Sequence, residues 1–215
     1  MGWSELTGTT ALVTGASRGF GRGIATALHE AGADVVAVAR TADHLGQLRD
    51  EFGGKLTVVA ADAADPVVAG SLIEQYRPKT LVLNAGAPPL MRPLQQLTWE
   101  TFSRNWEVDV QQAFHWIREA LLLPLAPQST VITMSSGAAL FGSPLSGGYA
   151  GAKAAIRFMT AYARREGIDV DQYVGRMGPG LGPDQVGKHI AELASSTDHK
   201  PGAYLLAPDG LKEIS

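Results

Sequence analysis

The sequence predicts an α/β domain in which one doubly wound parallel sheet of about seven strands carries helices on both faces. Three observations lead there. Short apolar runs of the kind buried on both faces of a sheet recur along the chain, as at Ala11–Val13, Asp34–Ala39 and Thr80–Leu83. Stretches of helical period separate them, and strands alternating with helices give a parallel sheet covered on both sides. The first run empties into a glycine turn, Gly15-x-x-x-Gly19-x-Gly21, which opens onto an amphipathic stretch with Ile24, Ala27 and Leu28 at helical intervals. At 215 residues, a single domain spanning 1–215 is expected.

The elements follow in order. Gly32 stops the first helix before the strand Asp34–Ala39, and a helix over Thr41–Phe52 sets Leu45, Leu48 and Phe52 on one side until Gly53-Gly54 ends it. Leu56–Ala61 reads as the third strand, closing on Asp62. Asp65-Pro66 is an N-cap followed by a first-turn proline, and it starts a short helix to Tyr76. Thr80–Leu83 runs into Asn84-Ala85-Gly86, and the proline-rich segment Ala87–Leu97 is a loop. Thr98 caps a long helix to Leu122, with Phe102, Trp106, Val110, Phe114 and Ile117 as its apolar side. Ser129–Met134 is the fifth strand. A Gly/Ser-rich loop to Gly148 precedes a helix over Tyr149–Arg165, and Val170–Val174, Asp184–Ala194 and Ala203–Ala207 read as strand, helix and last strand.

Composition narrows the function. Hydrophobic residues make up 45% and charged residues 18%, the balance of a globular chain, and the net charge of −3 gives no footprint for nucleic acid. Cysteine is absent, which excludes disulfides and thiol catalysis and fits a reducing compartment. The start of the chain has neither a basic n-region nor an apolar h-region, and Leu6 stands where a myristoylation motif needs Ser or Thr. The run Ala120–Leu123 is too short to span a bilayer. A cytoplasmic protein without nucleic-acid or membrane partners is the expectation. His29, His44, His115, His189 and His199 show no metal-ligand spacing, so no metal is expected.

Strand, glycine turn and helix together aim free backbone N–H groups and a helix N-terminus at a phosphate. In open parallel sheets, ligands bind beyond the carboxyl ends of the strands. That edge collects Gly15–Gly21, Arg40, Asp62, Asn84, Ser135/Ser136 and Gly178–Gly180. Tyr149 and Lys153 lie one helical turn apart on a shared face. A positive charge beside a phenol favours its phenolate, which suits proton exchange with a carbonyl or alcohol oxygen. A serine hydroxyl from the fifth strand can hold the same oxygen; Ser136 and Ser135 are both placed for it.

These motifs resemble the short-chain dehydrogenase/reductase family over nearly the whole chain: Thr14-Gly15-Ala16-Ser17-Arg18-Gly19-Phe20-Gly21, Asp62, Asn84-Ala85-Gly86, Ser136, Tyr149-x-x-x-Lys153 and Pro179-Gly180. The resemblance implies a Rossmann-type fold and an oxidoreductase interconverting a carbonyl and an alcohol. It implies that Gly15, Ser17, Arg18, Gly19, Phe20 and Gly21 hold a dinucleotide pyrophosphate, that Asp62 and Ala63 meet adenine, and that Asn84, Ala85 and Gly86 support the ribose. Tyr149 would be the proton donor or acceptor, Lys153 would bind the nicotinamide ribose, Ser136 would orient the substrate, and Pro179 and Gly180 would complete the cofactor site. The second strand ends in Ala39-Arg40 where an acid would select NAD; Arg40 with Arg18 favours NADP(H) over NAD(H).

Three places depart from the family. Its usual helix asparagine, whose backbone holds a relay water behind the lysine, is replaced by Asp109, a charge that would favour the ammonium form of Lys153. Leu181-Gly182-Pro183 stands where a threonine and a substrate lid are usual, and Pro208-Asp209-Gly210 lacks a second glycine. Three readings therefore stand: an enzyme with an open site for a bulky or carrier-borne substrate, an enzyme whose site a partner subunit completes, or a cofactor-binding sensor or scaffold that no longer turns over. The resemblance also implies a homodimer or homotetramer built on the long helix and the Tyr149 helix, where Trp99, Trp106, Trp116 and the stretch Phe158–Tyr162 offer core or subunit contacts.

Overall fold

The computed structural model describes residues 6–165, 170–175, 182–196, 202–207 and 210–214. One sheet runs through them in the order β3-β2-β1-β4-β5-β6-β7-β8. Its strands are β1 (Thr10–Thr14), β2 (Asp34–Ala39), β3 (Thr57–Ala60), β4 (Thr80–Leu83), β5 (Thr130–Ser136), β6 (Val170–Gly175), β7 (Ala203–Ala207) and β8 (Gly210–Glu213). The first seven pair in parallel; β8 turns back antiparallel on β7, with Ala207 opposite Gly210. This eighth strand is an addition to the seven read from the sequence.

Alternation along the strands builds two cores. Ala11 and Val13, Val35 and Ala37, Val82, and Ile132 and Met134 face one side, under α1 (Gly19–Glu30), α2 (Ala42–Glu51) and α8 (Pro183–Ser195). Leu12, Val36 and Val38, Leu81 and Leu83, and Val131 face the other, under α3 (Pro66–Tyr76), α5 (Gln111–Leu122) and α7 (Gly147–Arg165). Strands that are apolar on both faces are what this double cover requires. Caps match the local chemistry: the Asp65 carboxylate accepts the N–H of Val67 at 2.8 Å, and Thr98 forms a reciprocal capping box with Thr101.

The long helix departs from its expected form. It divides into α4 (Trp99–Asn105), a π-helical turn (Trp106–Val110) and α5. Its buried residues are Ser103, Asn105, Asp109, Gln112, Ala113, Trp116, Ile117 and Ala120, while Trp106 and Phe114, expected on the apolar side, are exposed. The inner face is polar because it serves the sheet edge, and the extra residue of the π turn shifts the face the helix presents. A short helix, α6 (Ala138–Phe141), also interrupts the loop after β5.

Candidate active site

Chain order reverses between β1 and β4, and a cleft of about 430 Å³ opens beyond their carboxyl ends. Gly15 turns the chain out of β1 with φ +68, and a Cβ there would lie 2.8 Å from the Cα of Ala85. Only glycine meets both demands. A Cβ on Gly21 would lie 2.2 Å from the carbonyl oxygen of Gly15, so this residue lets α1 start tightly against the turn. The N-cap Arg18 makes no side-chain cap, which leaves the first N–H groups of α1 facing outward.

Of the residues assigned to the cofactor, Gly15, Ser17, Arg18, Gly19, Arg40, Asp62, Ala63, Asn84, Ala85 and Gly86 line this cleft. Phe20, Gly21, Tyr149 and Lys153 do not: Phe20 is exposed, Gly21 is buried against the Gly15 turn, and Tyr149 and Lys153 lie on α7. Pro179 and Gly180 lie outside the described residues, as do Leu181, His199 and the pair Pro208-Asp209. The cleft gains residues the sequence reading passed over, among them Thr41, His44, Val108 and Gln112. An unpaired helix N-terminus, two guanidiniums and a glycine turn fit the phosphates of a dinucleotide.

A network of buried polar groups fixes the cleft floor. The Thr14 hydroxyl donates to Gln112 Oε1 and accepts the N–H groups of Asn84 and Ala85 at 3.0 and 3.1 Å. Gln112 Nε2 returns a bond to the carbonyl of Ala85 at 3.3 Å, and Asn84 Nδ2 reaches the carbonyls of Thr14 and Gly15 at 3.2 and 3.3 Å. Trp116, wholly buried, donates Nε1–H to the carbonyl of Ala63 at 2.8 Å and so holds the segment after β3. Asn105, Asp109 and Gln112 recur at helical spacing, which is the sequence signal that could have revealed this inward polar stripe.

The second half of the site gathers at the end of β5. Ser135 spends its hydroxyl on the Lys153 carbonyl at 3.1 Å, whereas Ser136 accepts the N–H of Ala138 at 3.2 Å and keeps its own proton free among the described residues. That contrast separates the two serines. Lys153 is buried; its Nζ lies 3.2 Å from the Met134 carbonyl, 3.1 Å from Asp109 Oδ2 and 5.7 Å from the centroid of the Tyr149 ring. Asp109 is fully buried on the π turn, and its Oδ1 accepts the N–H of Ala87 at 2.7 Å. Asn105 Nδ2 anchors the same loop through the Ala87 carbonyl at 2.8 Å. The carboxylate thus ties the loop after β4 directly to the lysine.

A family model for short chain dehydrogenases matches residues 9–181. The chain belongs to the short chain dehydrogenase family. Over 159 residues it is 34% identical to L-xylulose reductase of Bos taurus, covering 73% of this chain and 64% of that protein. Over 158 residues it is 31% identical to carbonyl reductase (NADPH) 2 of Sus scrofa, again covering 73% of this chain and 64% of the relative. This short chain dehydrogenase therefore matches somewhat less than two thirds of the length of those relatives. A solved metagenomic short-chain oxidoreductase in complex with NADP superposes with a TM-score of 0.83 at 24% identity, covering 95% of this chain and 99% of that one. Among the described residues no group of His, Asp and Glu could hold a metal, and no helix is long and apolar enough to cross a membrane.

Proposed function

We propose that this chain is an NADP(H)-dependent oxidoreductase that interconverts a ketone or aldehyde with its alcohol. The observation that carries the reading is the buried Lys153, whose Nζ lies 3.1 Å from Asp109 Oδ2 and 5.7 Å from the centroid of the Tyr149 ring, at the end of β5 where the Ser136 hydroxyl keeps its proton. The dinucleotide, when bound, supplies or accepts the hydride at the substrate carbon. Tyr149 gives its phenolic proton to the carbonyl oxygen in reduction and takes it back in oxidation. The Ser136 hydroxyl donates to that oxygen and orients it, and Lys153 holds positive charge beside the phenol ring. Asp109 is a positioning residue: it fixes the ammonium by a direct ion pair. Arg18 and Arg40, with the porcine relative named for NADPH, support NADP(H). Aromatic side chains exposed along the long helix and α7, Trp106, Phe114, Phe158 and Tyr162, support a homodimer or homotetramer.

The test is consumption of NADPH with a panel of ketones and aldehydes. Tyr149→Phe is expected to lower kcat by about a thousandfold while NADPH affinity, read by calorimetry, stays within twofold. Equal rates for the two proteins would overturn the assignment. The pairing of Asp109 with Lys153, which neutralises the site's cation, favours one rival, a cofactor-binding sensor. NADPH binding with no turnover of any carbonyl would establish that rival.

A further inference from the structure

Two short segments bracket the catalytic groups. Residues 87–97 follow the Asn84-Ala85-Gly86 turn, and residues 137–147 begin beside Ser136 and end just before Tyr149. The backbone joins them, since the N–H of Arg92 donates to the Leu145 carbonyl at 2.7 Å. Between them they expose Phe141 (73%), Leu94 (71%), Met91 (55%), Leu145 (49%) and Leu90 (36%). Single exposed apolar side chains are ordinary, but five on two segments joined by a backbone bond and flanking Ser136 and Tyr149 in the chain are not. Leu145 also holds φ +65, a conformation a branched side chain seldom adopts, and strain of this kind collects at functional sites. Arg92 is the one charged residue on either segment.

Resting on the oxidoreductase reading above, we propose that Leu90, Met91, Leu94, Phe141 and Leu145 form a subsite for the hydrocarbon arm of an extended, apolar ketone or secondary alcohol, whose reacting carbon sits between Ser136 and Tyr149. A polyhydroxylated substrate needs several convergent polar partners. Here the two rim serines, Ser143 and Ser146, are bonded to each other, and the polar side chains that remain, Arg92, Gln95 and Gln96, all belong to one of the two segments. An apolar arm gains by covering the side chains that water now covers.

The experiment is a calorimetric titration of the protein saturated with NADP+, a state that cannot reduce a ketone, with butanone and with its straight-chain ten-carbon homologue. NADPH consumption is measured on the same pair. Affinity is expected to rise about twofold per added methylene, half the gain of full burial, so the longer ketone binds roughly fiftyfold more tightly. Phe141→Ser and Met91→Ser, on separate segments, are each expected to cut that ratio about fivefold, whereas Val67→Ser on the outer side of α3 leaves it unchanged. A flat series, or a ratio that neither rim variant alters, overturns the proposal. The two readings also fail separately. Length-dependent binding without NADPH consumption sinks the oxidoreductase reading and keeps the subsite. NADPH consumption with a flat series does the reverse, and loss of both removes both. A flat series in which Phe141→Ser lowers the mass in light scattering assigns the rim to a second copy of the chain instead.

Discussion

The cleft beyond β1 and β4 and the site beyond β5 sit on one sheet edge but are built from different materials. The cleft is largely backbone: a turn forced by Gly15, the bare N-terminus of α1, and loop amides held by Thr14 and Asn84. The site beyond β5 is side chains: a buried lysine, a carboxylate, a phenol and a hydroxyl whose positions depend on α7 and the π turn packing correctly. A backbone site tolerates changes of side chain and fails when a Cβ is added. A side-chain site fails when one partner of a buried pair is removed. That difference can be broken or sharpened by substitution.

The largest expected effect falls in the side-chain site. Lys153→Met abolishes turnover and also strands the Asp109 carboxylate, fully buried, without its cation. Breaking a buried pair from one side costs about 3–5 kcal/mol, so the melting temperature should fall by roughly 10 °C. The double variant Asp109→Asn with Lys153→Met removes both charges and should regain most of that loss, because an amide can still accept the N–H of Ala87. Thermal melts of the three proteins decide it; a double variant no better than the single one shows that the ion pair does not carry the cost.

In the cleft, Gly21→Ala puts a methyl group 2.2 Å from the Gly15 carbonyl oxygen and 2.5 Å from Asn84 Nδ2. The turn must shift, and a destabilisation of about 2–3 kcal/mol is expected, with weakened NADPH binding. Urea melts and calorimetry read the two effects. A variant that keeps both stability and affinity would show that the glycine spacing is incidental.

The same contrast explains what could be read from the sequence. Gly15, Asp65-Pro66 and the apolar strands announce themselves because each requirement is local: a positive φ, a cap, a strand buried on both faces. Tyr149-x-x-x-Lys153 was legible because helical spacing alone sets both on one face. Ser135 and Ser136 could not be separated, since which hydroxyl is consumed depends on the carbonyl of Lys153, eighteen residues away. The long helix misled for a related reason. Phe102, Trp106, Val110 and Phe114 and the stripe Asn105, Asp109, Gln112 both have helical period, and hydrophobicity favours the first. The partners that bury the second, Thr14, Ala85, Ala87 and Lys153, come from three distant elements. Nothing local to the helix names them.

The smallest expected effect sharpens the comparison at its edge, where the backbone cleft borrows side chains. Arg18, Arg40, Thr41 and His44 line the end of the cleft beside β2 and lie on the exposed surface, where a charge is worth less than in the buried pair. Arg40→Ala is expected to weaken NADPH binding about tenfold and to leave NADH binding within twofold, because only the former carries the 2′-phosphate that a guanidinium grips. The loss should shrink as salt is raised, since solvent ions screen an exposed pair. Calorimetry with both cofactors at low and high salt measures it. Equal losses for the two cofactors would place Arg40 on the shared part of the dinucleotide, and no loss for either would make the surface arginine a bystander to a cleft that backbone alone defines.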